Sequence, residues 1–229
     1  MDMSDTQMLS NDVFPDEERF PNFILQFQQM IMLYRAAIQC VVMRVDTVKN
    51  ESQAKGNHVS VRSIETRIKE PQSIVKKLKR KGLPLSISSI CHNLNDIAGV
   101  RIICKYISDI YRIKDILLDK NHIDLIAEKD YIKCPKPNGY RSLHLVVDVP
   151  VLLQEGLKKV RCEIQLRTTA MDSWAALEHN LRYKKDLPYN PNIDQRLKKC
   201  AAMLYESDLE MQSIACDMGI FEECSQQIR

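Results

Sequence analysis

The stretch from Val160 to Arg167 alternates apolar and polar residues, and its polar residues could do chemistry. Glu163 and Gln165 fall on the same side, because successive side chains of a strand point to opposite faces. A second acid, Asp96, precedes another β-rich run. Mg²⁺ prefers one or two carboxylates together with substrate phosphate oxygens, so both acids are candidate ligands. A solvated strand face and a turn or cap residue are the alternatives that stay open.

Positive charge is concentrated between residues 62 and 81, in a chain whose net charge is only +3. Arg67 and Lys69 are two apart on a predicted strand and point the same way. Ser73 and Lys77 are four apart on a predicted helix and share a face. Such a cationic rim at a strand–helix junction can hold a polyphosphate. A solvated helix face or nonspecific RNA binding would also explain the charges.

A third group follows the dipeptide Asn138-Gly139, which permits a tight turn. This turn can present Tyr140 at the beginning of a strand, where its ring could stack on a base. His144 lies on the polar side of the same strand. Ordinary packing of the tyrosine and a structural role for the histidine are the alternatives.

Together these residues supply carboxylates for a metal, a cationic cradle, arginines that can stack on a base and a tyrosine for a second base. This set of groups suits the joining of two nucleotides. The six glycines form neither a GxGxxG nor a GxxxxGK[ST] motif. Any bound nucleotide must therefore be held by side chains.

The composition is that of a globular protein, with 45% hydrophobic and 28% charged residues among 229. No apolar run reaches the roughly 18 residues of a transmembrane helix. The acidic N-terminal segment lacks the pattern of a signal peptide. We therefore expect a cytoplasmic protein that does not associate with membranes. The eight cysteines form no Cys-x-x-Cys pair, which predicts reduced thiols rather than disulfides.

Alternating helical and strand patterns predict an α/β fold with a mixed five-stranded sheet flanked by helices. Apolar residues three and four apart predict one long helix over 22–49, followed by a loop over 50–58. The predicted strands cover 59–69, 97–106, 123–132, 140–149 and 158–167, and the later helices 72–81, 108–119, 169–185 and 192–217. We expect a flexible acidic tail over 1–21, a main domain over 22–190 and a C-terminal helical oligomerisation segment over 191–229.

In these motifs the sequence resembles the RelA/SpoT synthetase family, the enzymes that make (p)ppGpp. The matching blocks follow one another in order: Arg67–Lys69 with Ser73–Lys77, Asp96–Ile102, Lys129–Ile132, Pro135–His144, Glu163–Thr168 and Trp174–His179. The length and organisation are similar to those of the small alarmone synthetases. The family's hydrolase domain carries a His-Asp motif, which this sequence lacks, so hydrolysis of the product is not expected.

The resemblance implies a nucleotidyltransferase-like synthetase fold with long N- and C-terminal helices. It implies transfer of pyrophosphate from ATP to the ribose 3′-hydroxyl of GDP or GTP. The implied ATP-binding residues are Arg67, Lys69, Ser73, Lys77 and Arg101, and those for the acceptor are Lys136, Asn138, Tyr140 and His144. The implied catalytic residues are Asp96, Glu163 and Gln165. Of these, Asp96 and Glu163 would hold Mg²⁺, and Glu163 with Gln165 would help to deprotonate the hydroxyl.

The resemblance also implies a homotetramer, with (p)ppGpp or single-stranded RNA as candidate regulators. Two other functions stay open at this point. One is a toxin-type relative that pyrophosphorylates adenine nucleotides or the 3′ end of tRNA. The other is a non-enzymatic RNA-binding module that uses residues 62–81.

Overall fold

The computed structural model of the chain describes residues 20–54, 59–119, 123–183 and 191–220. The elements in these residues are α1 (Phe20–Ala54), β1 (Val61–Ile68), α2 (Pro71–Arg80), α3 (Ile87–Asn93), β2 (Ala98–Cys104), α4 (Ile107–Leu118), β3 (Asp124–Asp130), β4 (Leu143–Leu153), β5 (Gly156–Thr168), α5 (Thr169–Tyr183) and α6 (Pro191–Asp217). None of the described helices combines the length and apolar character needed to span a membrane.

The five strands form one sheet in the order β1-β2-β5-β4-β3. β2 and β5 run parallel, whereas the other neighbouring pairs are antiparallel. The predicted mixed five-stranded sheet is therefore confirmed. β5 occupies the centre of the sheet, so its side chains can meet residues from both sides.

The apolar face of the sheet packs against α1, which contacts β1, β2, β4 and β5. Ile164 and Leu166 of β5 are buried, as the alternation of that strand predicts. On α1, Tyr34, Val41 and Val45 are buried at helical spacing. Each such side chain contributes about 1.5–3 kcal/mol when it leaves water. This packing leaves the opposite, polar face of the sheet available for a site.

The structure corrects the sequence-based boundaries of several elements, among them β4, which covers Leu143–Leu153 and not 140–149. α1 continues to Ala54, so the predicted loop over 50–58 is wrong for residues 50–54, which contain neither proline nor glycine to stop the helix. The remaining positions, 55–58, lie outside the described residues. α3 was not predicted; it begins after Ser86, whose Oγ accepts a hydrogen bond from the backbone N–H of Ser89 at 3.1 Å. α1 begins at Phe20, inside the predicted tail, of which residues 1–19 are not described.

The cysteines follow the prediction in part. The free thiols among the described residues include the buried Cys104 and Cys162, which lie in strands as the apolar context suggests. Cys216, near the end of α6, is in a disulfide, contrary to the prediction. Spacing along the chain cannot reveal such a bond, because it depends on how closely two thiols approach in three dimensions.

The C-terminal helix α6 packs against the turn that precedes β4. Gly139 in this turn has a φ of +94°, and a Cβ there would lie 2.8 Å from Ala201 Cβ and 3.1 Å from Lys198 Cα. Trp174 of α5 donates its indole N–H to the carbonyl of Leu197 at 3.0 Å, which holds α6 in place. The shape of the turn therefore depends on both the backbone freedom of glycine and the absence of its side chain.

Gly139→Ala is expected to lower the free energy of unfolding by about 2–4 kcal/mol, since it adds overpacking against α6 to backbone strain. Gly82 is a matched control, because its φ is +65° but no atom of the described residues lies within 4 Å of a Cβ added there. Gly82→Ala should cost only about 1 kcal/mol. Urea unfolding of both variants measures the difference. Equal losses would mean that α6 accommodates the extra methyl group without cost.

Candidate active site

The polar face of the sheet carries a cleft of about 70 Å³ above β1, β2 and β5. The parallel register places Gly99 beside Glu163 and Arg101 beside Gln165. Arg67 of β1 pairs with Gly99 from the other side and also lines the cleft. Three strands from separate parts of the sequence thus bring the candidate residues into one place.

Two arginines line this cleft. A Cβ at Gly99 would lie 3.3 Å from Arg67 Cγ, so the glycine leaves room for the arginine side chain. Arg101 Nη1 lies 3.1 Å from Glu65 Oε2 and 3.5 Å from Asp172 Oδ1. Guanidinium groups stack on aromatic faces, so a cleft lined by two of them suits a flat base.

Asp96 is held between two lysines just before β2. Its Oδ2 lies 2.7 Å from Lys77 Nζ and 3.1 Å from Lys69 Nζ. Lys69 follows β1, and its backbone N–H donates to the carbonyl of Ile97 at 2.8 Å. Burial of Asp96 favours its neutral form, but the hydrogen bonds and charges of the two lysines outweigh burial and lower its pKa. Its Oδ1 is buried and has no hydrogen-bond partner in the described residues.

Glu163 is kept ionised by different means. Its Oε2 accepts a hydrogen bond from Gln165 Nε2 at 2.9 Å, and its Oε1 lies 3.4 Å from His144 Nδ1. Burial raises the pKa of Glu163, but the hydrogen bonds from His144 and Gln165 outweigh burial, so the net pKa is lowered. The charge of Asp96 acts in the opposite direction and raises this pKa. The two carboxylates are therefore near enough to repel each other.

A further group surrounds Tyr140, just before β4. Tyr140 Oη lies 2.7 Å from His144 Nε2, and Lys136 Nζ lies 4.5 Å from the centre of the tyrosine ring. Asn138 Oδ1 accepts the backbone N–H of Tyr140 at 3.1 Å, which closes the turn. The Asn138 amide donates to Glu178 Oε1 of α5, also at 3.1 Å. These contacts place the tyrosine next to the polar face of β4 and β5.

The structure thus gathers the predicted residues into a lysine-bound Asp96, an arginine-lined cleft and a tyrosine group that is linked to Glu163. Ser73 lies one turn before Lys77 on α2, half-buried, and joins none of these groups through a hydrogen bond in the described part of the chain. Across residues 20–54, 59–119, 123–183 and 191–220, no three His, Cys, Asp or Glu side chains are grouped so as to hold a metal ion.

Arg167 and Asp172, which are outside the predicted set, also contact these groups. Arg167 Nη2 donates to Tyr140 Oη at 2.6 Å and to Gln165 Oε1 at 3.0 Å. Asp172 Oδ1 accepts from Arg167 Nη1 at 3.0 Å. The alternation of β5 already places Arg167 on the polar face, so a signal for it existed. Asp172 carries no such signal, because an acid in the first turn of a helix is ordinary.

The profile of a protein family described as the region found in RelA / SpoT proteins matches residues 66–187. This match covers more than half of the chain and includes every candidate site residue. The chain belongs to the RelA/SpoT family.

Three relatives or solved structures from Bacillus subtilis are similar to this chain over most of their length. The GTP pyrophosphokinase YwaC of Bacillus subtilis (strain 168) is 38% identical over 184 residues, which are 80% of this chain and 88% of the relative. The crystal structure of small alarmone synthetase 2 from B. subtilis has a TM-score of 0.72 and 38% identity, covering 81% of this chain and 97% of that one. Small alarmone synthetase 1 from the same organism, bound to its product pppGpp, gives 0.74 and 32%, covering 84% and 97%. The predicted family and fold are confirmed.

Proposed function

We propose that this RelA/SpoT protein is a GTP pyrophosphokinase, which transfers pyrophosphate from ATP to the ribose 3′-hydroxyl of GDP or GTP. The products are ppGpp or pppGpp, together with AMP. The observation that supports this best is an arginine-lined cleft that contains the carboxylate of Glu163, with the carboxylate of Asp96 near enough to act on the pKa of Glu163. The name of YwaC and the pppGpp bound to a structural neighbour favour a guanine nucleotide over adenine nucleotides or tRNA as acceptor. They likewise favour catalysis over a role limited to RNA binding.

ATP would lie on the β1–β2 side of the cleft. Arg67 and Arg101 would hold adenine between their guanidinium groups, and each such contact is worth about 0.5–2 kcal/mol. Lys69 and Lys77 would bind the phosphates, with the hydroxyl of Ser73 assisting from the same face of α2. Both lysines are engaged with Asp96 in the free protein. The arriving phosphate oxygens would replace that carboxylate as their partner.

A magnesium ion fits the acidic residues of this site. Asp96 Oδ1 is buried and unpartnered among the described residues, and its Oδ2 would lose its lysines to the phosphates. Asp96 and Glu163 would together hold the ion, and phosphate oxygens and water would complete its shell. When bound, Mg²⁺ supplies neutralisation of the charge that builds up on the transferred group.

The acceptor nucleotide would lie on the β4–β5 side, with guanine stacked on Tyr140. Lys136, Asn138 and His144 surround this ring. In the proposed reaction the 3′-oxygen attacks the β-phosphorus of ATP and forms a bond to it. The bond between the β-phosphorus and the oxygen that bridges it to the α-phosphate breaks, and that oxygen leaves with AMP.

Glu163 would accept the proton of the attacking hydroxyl, with Gln165 fixing the orientation of the carboxylate. The lowered pKa of Glu163 keeps it ionised and able to accept a proton, but also makes it a weak base. Alignment of the reactants and charge neutralisation must therefore provide most of the acceleration.

Incubation with ATP, GDP and Mg²⁺ is expected to give ppGpp and AMP, and an excess of chelator should stop the reaction. Asp96→Asn and Glu163→Gln should each reduce kcat by about 10²–10⁴-fold without unfolding the protein. Asp124→Asn is a matched control, since it removes a carboxylate from an exposed ion pair with Lys159 at the far edge of the sheet. Nearly normal turnover in the Asp96 or Glu163 variant would exclude the assigned metal site.

Tyr140→Ala should raise the KM of GDP by about tenfold or more, because the loss of a stacked base costs about 1–3 kcal/mol. The KM of ATP should change by less than about twofold, since ATP is assigned to the other side of the cleft. Steady-state kinetics with each substrate varied in turn measure both constants. Equal increases of the two constants would contradict guanine stacking on this ring.

We also propose that the chain assembles as a homotetramer through α1 and α6. Leu25, Met32 and Met43 on α1 are exposed, as are Met203 and Met211 on α6. Large apolar side chains repeated along two helices are typical of surfaces that bind another protein. Light scattering after size exclusion should give about four times the 26.5 kDa chain mass. A monomer at micromolar concentration would contradict the assembly.

The cellular setting follows from the substrates. ATP and GTP are present in the cytoplasm, so we place the enzyme there. We also propose the product (p)ppGpp and single-stranded RNA as candidate regulators of the enzyme.

A further inference from the structure

Arg167 is a buried arginine at the end of β5, and the reaction scheme above gives it no role. The residue is only 5% exposed. Its Nη2 donates to Tyr140 Oη at 2.6 Å and to Gln165 Oε1 at 3.0 Å. The guanidinium carbon also lies 5.2 Å from the centre of the Tyr140 ring. One nitrogen atom therefore links the residue assigned to guanine with the residue that orients the general base.

The contacts of Arg167 close a ring of five side chains. From Gln165 the ring passes to Glu163 Oε2 at 2.9 Å. From Tyr140 it passes to His144 Nε2 at 2.7 Å and then from His144 Nδ1 to Glu163 Oε1 at 3.4 Å. The last link is the longest of the ring.

Arg167 and Glu163, which lie on opposite sides of this ring, constrain the directions of its hydrogen bonds. Arg167 can only donate, and an ionised Glu163 can only accept. Gln165 therefore accepts through its oxygen and donates through its amide nitrogen. On the other branch, Tyr140 accepts from Arg167, and in the tautomer that carries its proton on Nδ1, His144 accepts from Tyr140 Oη at Nε2 and directs the Nδ1 proton at Glu163. Both branches thus present a donor to the same carboxylate, and each bond polarises the next.

Asp172 connects this ring to the donor side of the cleft. Its Oδ1 lies 3.0 Å from Arg167 Nη1 and 3.5 Å from Arg101 Nη1. It therefore partly balances the charge of the buried Arg167, which would otherwise be costly. It also ties that arginine to Arg101, the residue assigned to adenine.

We propose that Arg167 is a positioning residue of the acceptor site, which sets the tyrosine ring for guanine and, through Gln165 and His144, the orientation of Glu163. This inference rests on the proposed function. Arginine is required because its planar fork can donate to Tyr140, Gln165 and Asp172 together, whereas a lysine ammonium on a flexible stem cannot reproduce that geometry. A purely structural Arg167 would only neutralise Asp172, and lysine could do this equally well.

The test compares Arg167→Lys with Arg44→Lys, a matched control in a half-buried arginine of α1 that donates to the carbonyl of Ile116. Arg167→Lys is expected to lower kcat/KM for GDP by about 10–100-fold and to change the KM of ATP by less than about twofold. Arg44→Lys should leave both constants within about twofold of wild type. Thermal unfolding shows whether each variant is folded. Wild-type kcat/KM for GDP in a folded Arg167→Lys protein would overturn the positioning role.

Tyr140→Phe provides a second test that leaves the buried charge in place. It removes only the hydroxyl, and thereby one branch of the ring. If Arg167 acts through this hydroxyl, the Tyr140→Phe/Arg167→Lys double variant should lose less than the product of the two single losses. Fully multiplicative losses would show that the two residues act independently and would contradict the ring.

Calorimetric titration of GDP separates this inference from the proposed function. We expect GDP to bind Arg167→Lys about tenfold more weakly than wild type, even without turnover. Absence of ppGpp synthesis by the wild type would overturn the proposed reaction. Normal synthesis by the wild type together with unchanged GDP affinity in Arg167→Lys would overturn only the positioning role.

Discussion

Two half-buried carboxylates, Asp96 near the cleft and Glu163 in it, must stay ionised although burial favours their neutral forms. Asp96 stays ionised because Lys69 and Lys77 donate to it, whereas Glu163 relies on Gln165 and His144. The difference matters when substrate arrives. In the proposed reaction, phosphate oxygens would take over the two lysines and release Asp96 toward a metal, whereas nothing on ATP would replace the donors of Glu163. The first carboxylate is therefore suited to the donor and its metal, and the second to a proton that leaves the acceptor.

Nucleotide binding without a glycine loop has a structural consequence here. A glycine-rich loop holds phosphates with backbone N–H groups, so its geometry is local in sequence. In the proposed nucleotide site the corresponding contacts would come from side chains, and the register of β1, β2 and β5 sets the relative positions of those on the strands. Gly99 contributes by its missing side chain, which leaves space for Arg67. A shift of register by one residue would turn Glu163 and Gln165 toward the apolar face and destroy the site.

The parts of the structure that sequence reasoning could predict are those with a clear period. The alternation around Glu163 identifies both the strand and its polar face, and the apolar stripe of α1 identifies its buried side. The short helix α3 escapes prediction because seven residues that begin at a serine cap give too little periodic signal. The turn at Asn138-Gly139 and the strand pattern after it identify Tyr140 and His144, and the resemblance implies their role at the acceptor. Asp172 could not be found in either way, because its importance arises only when Arg101 and Arg167 approach it in three dimensions.

The contact between α6 and the turn at Asn138 and Gly139 likewise arises only in three dimensions. The sequence suggests a boundary near residue 190, with the last helix serving assembly. Yet Ala201 and Lys198 leave space only for a glycine at position 139, immediately before the tyrosine assigned to guanine. The preceding Asn138 also binds Glu178 on α5, the helix against which α6 packs. The conformation of the turn at Asn138 and Gly139 is therefore set jointly by local turn chemistry and by the last helix. Helix α6 thus belongs to the unit that shapes the proposed acceptor site.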